Sequence, residues 1–198
     1  MINVSIIVPV YNQEVLVKKC LNSIPIRDDI EVVIVDDGST DSSVKSIEEF
    51  INSTPLKTKF IKHEINKGGG ASANTGIDNS EGEFIYQLDS DDYLLPGFND
   101  ILNDLTADIN FINLEANDGT IFRLIPTTRR DLCGGPCKII RRSLVGNLRY
   151  PENIKCGYDY WFTKSLLEKP HKEKYFDRVV YHYNFPREGS LYWEFTHE

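Results

Sequence analysis

Residues 30–41 read Ile30-Glu31-Val32-Val33-Ile34-Val35-Asp36-Asp37-Gly38-Ser39-Thr40-Asp41. The β-branched run carries no alternation of polar and apolar positions, so it predicts a strand buried on both faces, as in a parallel sheet. Two carboxylates and a turn follow at once. A helix comes next, with Val44, Ile47, Phe50 and Ile51 along one side. A buried strand that breaks into polar residues and then a helix is the unit of an α/β fold.

The flanking sequence repeats the unit. Upstream, Val4 to Val10 is a second buried strand, and Asn12 is a plausible N-cap for a helix running to about Ile24 through Leu16 and Cys20. Downstream, a strand is expected around Lys59 to His63, then a loop entering a helix over Gly68 to Asn79. Glu83 to Leu88 forms the next strand and ends in Asp89-Ser90-Asp91-Asp92. This alternation predicts an α/β fold with a largely parallel central sheet flanked by helices, joined by right-handed crossovers. Ligands of such sheets bind beyond the carboxyl ends of the strands. Three of those ends are polar here: Pro9/Tyr11/Asn12, Asp36/Asp37 and Asp89/Asp91/Asp92.

The second half is less regular. Ile109 to Leu114 and Thr120 to Ile125 read as a strand pair about the turn Asn117-Asp118-Gly119, and Leu132 to Pro136 as loop. Tyr158 to Leu167 predicts a helix and Arg178 to Tyr183 a last strand. No linker divides the chain, so residues 1–198 are expected to form one domain, with residues 1–97 as a ligand-binding half.

With 198 residues, 40% hydrophobic and 26% charged, the chain is too apolar for disorder. It has no apolar run long enough to span a membrane. The start Met1-Ile2-Asn3 lacks a signal-peptide pattern, and four scattered cysteines suit a reducing, cytoplasmic setting. Cys133 and Cys137 lack the further donors of a zinc site. A net charge of -8 argues against a nucleic-acid partner. Residues 121–155 depart from that average: Arg123, Arg129, Arg130, Lys138, Arg141, Arg142, Arg149 and Lys155 face only Asp131 and Glu152. That segment is either a solvated surface or one that meets phosphate, on a substrate or a membrane.

Asp89-Ser90-Asp91 is the most informative triplet. Carboxylates two residues apart on a turn can share a hard divalent cation and leave positions open for phosphate oxygens; turn capping is the plainer alternative. Taken together, Ile6 to Asn12 (IIVPVYN), Val33 to Asp41 (VIVDDGSTD), Asn66 to Ile77 (NKGGGASANTGI) and Gly82 to Gly97 (GEFIYQLDSDDYLLPG) resemble the family 2 inverting glycosyltransferases of the GT-A fold in order and spacing. The resemblance implies a UDP-sugar donor, a saccharide or lipid-linked acceptor facing residues 98–198, and Mg²⁺ or Mn²⁺ as cofactor. It implies that Pro9, Tyr11 and Asn12 line the base pocket, with Glu14 closing it. Asp36 or Asp37 would accept a hydrogen bond from the base. Asp89 would serve the ribose or a metal-bound water, with Ser90 beside it, and Asp91 the metal directly.

By the same resemblance Asn74 belongs to the donor site and Ala73 stands where the family usually has arginine, a loss that Lys67, or a basic residue of the later region, would make good at the donor site. Asp159, in Cys156-Gly157-Tyr158-Asp159-Tyr160-Trp161-Phe162, is implied as the base that takes the acceptor proton, with Tyr158 where glutamate is common. A helix cap is the alternative for Asp159. Trp161 and Phe162 read as core, and His63 and His171 suggest no partners. His182 and Arg187 are candidate metal or phosphate contacts, although a lone histidine on a strand is more often packed. A peripheral membrane contact is expected near Arg129 and Arg141-Arg142. Two rivals remain at this stage: a nucleotidyltransferase, which would release pyrophosphate, and a non-catalytic sugar-nucleotide-binding subunit.

Overall fold

The computed structural model describes residues 1–123 and 135–185. Four strands, β1 (Val4–Val10), β2 (Ile30–Asp36), β3 (Lys57–Lys62) and β4 (Phe84–Gln87), pair in parallel in the order β3-β2-β1-β4. Helices α1 (Val17–Asn22), α2 (Ser43–Ser53) and α3 (Gly69–Asp78) make the crossovers. Every residue of β2 is buried, as its unalternating sequence required.

The second half extends the same sheet. Its elements are β5 (Tyr93–Leu94), α4 (Phe98–Ile101), β6 (Ile109–Ala116), β7 (Ile121–Phe122), β8 (Lys138–Arg141), α5 (Arg142–Val145), α6 (Tyr158–Leu167) and β9 (Glu173–Tyr183). The order continues β4-β8-β6-β9-β5. β8 runs antiparallel to both β4 and β6, while β9 returns parallel to β6, so the longer ladders of the sheet are parallel ones. The hairpin about Asn117-Asp118-Gly119 forms as expected, and the last strand begins at Glu173 rather than Arg178.

The two faces carry separate cores. Ile6, Val8, Val32 and Ile34 pack under α1 and α2, whereas Ile7, Val33 and Val35 pack with Ala73, Ile77, Tyr150, Phe162 and Leu166 under α3 and α6. One helix differs from expectation. Asn12 is not its N-cap: α1 starts at Val17, and Asn12 has φ of 50°, a left-handed conformation that asparagine tolerates.

The N-terminal edge of the parallel strands explains much of the basic segment. Arg142 donates to the Gly82 carbonyl at 2.6 Å and to Ser80 Oγ at 2.9 Å. Arg141 pairs with Glu83 and lies 3.3 Å from Asp108, and Arg149 lies 2.5 Å from Asp78. These guanidinium groups brace the protein from within, so the structure gives no support to a phosphate or membrane surface at Arg141-Arg142. Arg129, Arg130 and Cys133 lie outside the described residues. Among the described residues no helix is long and apolar enough to cross a membrane.

Candidate active site

The strand order 3-2-1-4 reverses direction between β1 and β4, and an α/β sheet opens a crevice at such a switch point. Pairing of β1 with β4 stops at Ile7, whose carbonyl accepts the Leu88 N–H at 2.9 Å. Pro9, two residues further on, faces the same way, so the N–H it lacks would have pointed past the end of β4. Tyr11 stands at the lip of this crevice, 45% exposed, with its ring open to a ligand.

The loops after β1 and β2 are laced together. Asn12 Oδ1 accepts the Thr40 N–H at 2.9 Å, and the Asn12 N–H donates to Ser39 Oγ at 3.0 Å. Glu14 Oε2 accepts the Ser42 N–H, while the Glu14 N–H donates to Asp41 Oδ2, each at 3.0 Å. Asn12 and Glu14 therefore shape the pocket wall. The two aspartates after β2 divide. Asp37 accepts the N–H groups of Lys67 at 2.9 Å and Gly68 at 2.8 Å, and lies 2.7 Å from His63 Nδ1. Asp36 accepts only a long contact from the Ser39 N–H, 3.3 Å, and leaves Oδ1 buried without a hydrogen-bond partner. Asp36 is thus the one of the pair with an acceptor to spare. The Lys67 side chain is exposed.

At the end of β4, Gln87 Nε2 donates to Asp89 Oδ1 at 2.9 Å. Burial, together with the neighbouring Asp91 and Asp159 charges, pushes the Asp89 carboxyl up to about 7, against the pull of Gln87 and Lys138. Ser90 is buried beside it. Asp92 is a structural staple rather than a third ligand: its oxygens accept the Tyr181 hydroxyl and, at 2.7 Å, the Asn184 N–H. Among the described residues no three His, Cys, Asp or Glu side chains converge as a metal set. Asp89 and Asp91 nonetheless supply hard oxygen donors whose crowding a divalent cation would relieve, which suits Mg²⁺ or Mn²⁺ with phosphate oxygens completing the shell.

Across the crevice, α3 begins at Gly69, where a Cβ would sit 2.4 Å from Tyr158 Oη. Gly69 is therefore demanded by the close approach of Tyr158 on α6, and Gly70 by the Pro151 carbonyl, 2.8 Å from where its Cβ would sit. Asn74 on α3 spends its side chain on the loop that leads to α6. Its amide donates to the Tyr150 carbonyl at 2.9 Å and Glu152 Oε1 at 2.8 Å, and its Oδ1 accepts the Tyr150 N–H at 2.8 Å. Ala73 is 1% exposed and belongs to the core under α3 and α6.

Asp159 lies in the first turn of α6 and accepts the Tyr160 N–H at 2.9 Å. Burial raises its carboxyl above the ordinary aspartate range, and the Lys138 charge with the Tyr160 and Gly135 N–H groups pulls the other way. Its neighbour Trp161 is 49% exposed and is not core; Phe162 is core, stacked on Tyr150 at 3.9 Å. His182 is packed, as a lone strand histidine usually is: it stacks on Tyr93 at 4.3 Å and its Nε2 lies 2.9 Å from Asn117 Oδ1. Arg187 lies outside the described residues.

Residues 5–169 match the family model described as Glycosyl transferase family 2. The chain belongs to glycosyl transferase family 2. Among relatives, it is 29% identical to the poly(ribitol-phosphate) beta-N-acetylglucosaminyltransferase TarS of Staphylococcus aureus, with 96% of this chain and 37% of that protein covered. The chain thus spans just over a third of that relative. The crystal structure of S. aureus TarS 1–349 in complex with UDP-GlcNAc superposes with a TM-score of 0.78 at 28% identity, covering 96% of this chain and 60% of that one. The mannosyltransferase PcManGT from Pyrobaculum calidifontis, solved with GDP-Man and Mn²⁺, shares the fold at 19% identity, with a TM-score of 0.72 and coverage of 94% and 58%. The fold is therefore the GT-A type.

In this family 2 chain, two residues of the site escaped the sequence reading. His63, which suggested no partners, bridges Asp37 and Thr75, with Nε2 3.0 Å from Thr75 Oγ1. Lys138, one of eight basic residues in its segment, is 1% exposed among the carboxylates. A polar residue bordering an apolar stretch of strand, His63 after Phe60-Ile61-Lys62 or Lys138 before Ile139-Ile140, was the available signal. His171 also has partners, the Lys169 carbonyl at 2.6 Å and Glu173 at 2.7 Å, away from the crevice.

Proposed function

We propose that this chain transfers a sugar from a UDP-sugar to an acceptor hydroxyl with inversion, using Mg²⁺ or Mn²⁺ at Asp89 and Asp91 and Asp159 as base. The observation that carries the reading is that Asp89, just after β4, and Asp159, in the first turn of α6, meet at the switch-point crevice of a family 2 chain, where the Asp159 charge helps raise the Asp89 carboxyl. Carboxylates gathered at one edge are costly unless a cation or a proton-transfer role occupies them.

Each group then has a task. Tyr11 stacks on the base, and the spare Asp36 Oδ1 accepts its ring N–H, which selects uracil over cytosine because cytosine carries no proton there. Pro9, Asn12 and Glu14 hold that wall, and Asp37 with the Lys67 N–H holds the facing loop. Asp89 and Asp91 would hold the cation, with Ser90 fixing the turn between them. When bound, the cation supplies neutralisation of the diphosphate charge that develops as the sugar departs. Asp159 accepts the acceptor hydroxyl proton, and burial makes its carboxylate a stronger base than an ordinary aspartate. The O–H electron pair forms the new glycosidic bond while the anomeric C–O bond to phosphate breaks, and UDP leaves. The acceptor, a saccharide or lipid-linked saccharide, approaches from residues 98–198, and the whole chain acts as one domain.

Calorimetric titration with UDP, with and without Mn²⁺, followed by UDP-release assays on UDP-GlcNAc and UDP-glucose, tests this reading. Metal-dependent UDP binding and UDP release are expected, the release lost in Asp159→Asn. Release of pyrophosphate, or binding without release against any acceptor, overturns it.

A further inference from the structure

His63 follows β3, and its N–H extends the ladder by donating to the Asp36 carbonyl at 2.9 Å. The next amide of that turn, Asp37 N–H, donates to the Val10 carbonyl at 2.8 Å. The ends of β1, β2 and β3 are thus joined where the crevice opens, and beyond them side chains take over from the ladder. The Asp37 carboxylate accepts the Lys67 N–H at 2.9 Å and the Gly68 N–H at 2.8 Å. His63 Nδ1, 2.7 Å away, is a third donor to it, and Nε2 lies 3.0 Å from Thr75 Oγ1 on α3. Both His63 and Asp37 are buried, so water does not compete for these bonds.

We propose that His63 is the positioning residue of the nucleoside pocket: through Asp37 it sets the wall that recognises the base, and so governs donor affinity rather than the transfer step. Nothing in the resemblance or the comparisons assigns it a role, and the inference rests on the transferase reading above. What Asp37 holds is the loop between β3 and α3. That loop packs on the turn after β2, where a Cβ on Gly38 would lie 2.9 Å from the Ile65 carbonyl carbon and 3.0 Å from the Asn66 nitrogen. The same turn carries Asp36, with its open oxygen, and grips Asn12 through Ser39 and Thr40. Asn12 in turn follows Tyr11, the ring at the lip of the crevice. The three loops of the wall are therefore one block, and the His63 imidazole fastens it to α3 from beneath. His63 makes no contact with the base in this arrangement; it acts by fixing where Asp36 and Tyr11 stand.

A positioning residue and a merely structural one differ in what they move. His63→Asn puts an amide donor where Nδ1 stood, keeping the Asp37 bond and losing Thr75. His63→Gln reaches Thr75 but leaves Asp37 one donor short. In calorimetric titration of the folded proteins with Mn²⁺ present, His63→Gln should weaken UDP at least about tenfold, the equivalent of one hydrogen bond. Its KM for UDP-GlcNAc should rise by a similar factor, while kcat for UDP release changes less than about threefold. The preference for UDP over CDP, which reads the setting of Asp36, should fall at least about threefold. His63→Asn should stay within about threefold of the wild type in all of these. If His63→Gln does not fold, amide exchange at Lys67 and Gly68 of the wild type is read in its place: saturating UDP should slow both at least about tenfold, and unchanged exchange overturns the assignment. Lost stability with unchanged UDP affinity, equal loss of affinity in the two variants, a loss confined to kcat, or an unaltered UDP preference in His63→Gln would each overturn it as well. Wild-type protein that binds CDP as tightly as UDP has no base recognition to position, which sinks this inference and leaves the transferase reading standing. Wild-type protein that neither binds UDP with Mn²⁺ nor releases UDP sinks both.

Discussion

His63 Nδ1 lies 2.7 Å from the carboxylate of Asp37, and both side chains are buried where β2 and β3 end. Through Thr75 the same imidazole reaches α3, so one side chain ties two strand ends to the helix that borders the crevice. His63→Ala should cost about 2 kcal/mol, since it leaves Asp37 and Thr75 short of a partner. Urea unfolding measures this, and a cost below about 0.5 kcal/mol would show the bridge to be dispensable.

Asn74 makes a sharper case, because its amide is committed to Tyr150 and Glu152. Asn74→Ala should lower stability by about 2–3 kcal/mol, from three lost hydrogen bonds, while UDP affinity changes less than about threefold. A large loss of UDP affinity at unchanged stability would return Asn74 to the donor site.

Gly69→Ala separates local propensity from packing. In an open helix the change would stabilise by up to about 1 kcal/mol. Here the added methyl meets Tyr158 Oη at 2.4 Å, so a net loss of about 1–3 kcal/mol is expected. Tyr158→Phe should relieve part of it, making the double variant less than additive. Thermal unfolding of the four proteins decides.

Glu31 sets the acid limit at the opposite edge. Burial raises its carboxyl, but the Glu81 N–H, the Ser5 hydroxyl and Lys59 outweigh it, and the net shift is downward. A lowered carboxyl binds its proton less readily folded than unfolded. Its stabilisation is therefore full above the ordinary glutamate value of about 4.3 and is lost as pH falls through the lower folded value. Glu31→Gln should flatten the acid side of the stability–pH curve, and an unchanged acid slope would contradict this.

For Asp159 the sign is reversed. Burial holds the carboxyl above the ordinary aspartate value of about 3.9, despite Lys138 and the Tyr160 N–H. The acid limb of kcat for UDP release should consequently lie above that value, since a base works only when ionised. Asp159→Asn should reduce kcat by about 10²–10⁴-fold with the fold intact.

The parallel core was legible because it is written locally. Runs such as Val32 to Val35, buried on both faces, have few other structures open to them, and polar residues at strand ends mark the ligand edge. The helix over Tyr158–Leu167 and the turn at Asn117-Asp118-Gly119 were equally local. The start of α1 was misread because Asn12 spends its side chain on Thr40, a residue of another loop.

What the sequence determined by itself, then, is the order of strands and helices and which carboxylates reach the C-terminal edge. Side-chain period and turn chemistry act over a few residues, and they suffice for that. Only the tertiary structure decided which acid is spent and which is spare: Asp37 held by His63, Lys67 and Gly68, Asp92 held by Tyr181 and Asn184, and Asp36 left with an open oxygen. It also sorted the basic segment, sending Arg141, Arg142 and Arg149 to brace the far edge and Lys138 to the acids. Charges choose partners by distance and burial, and both are set by residues tens of positions away along the chain.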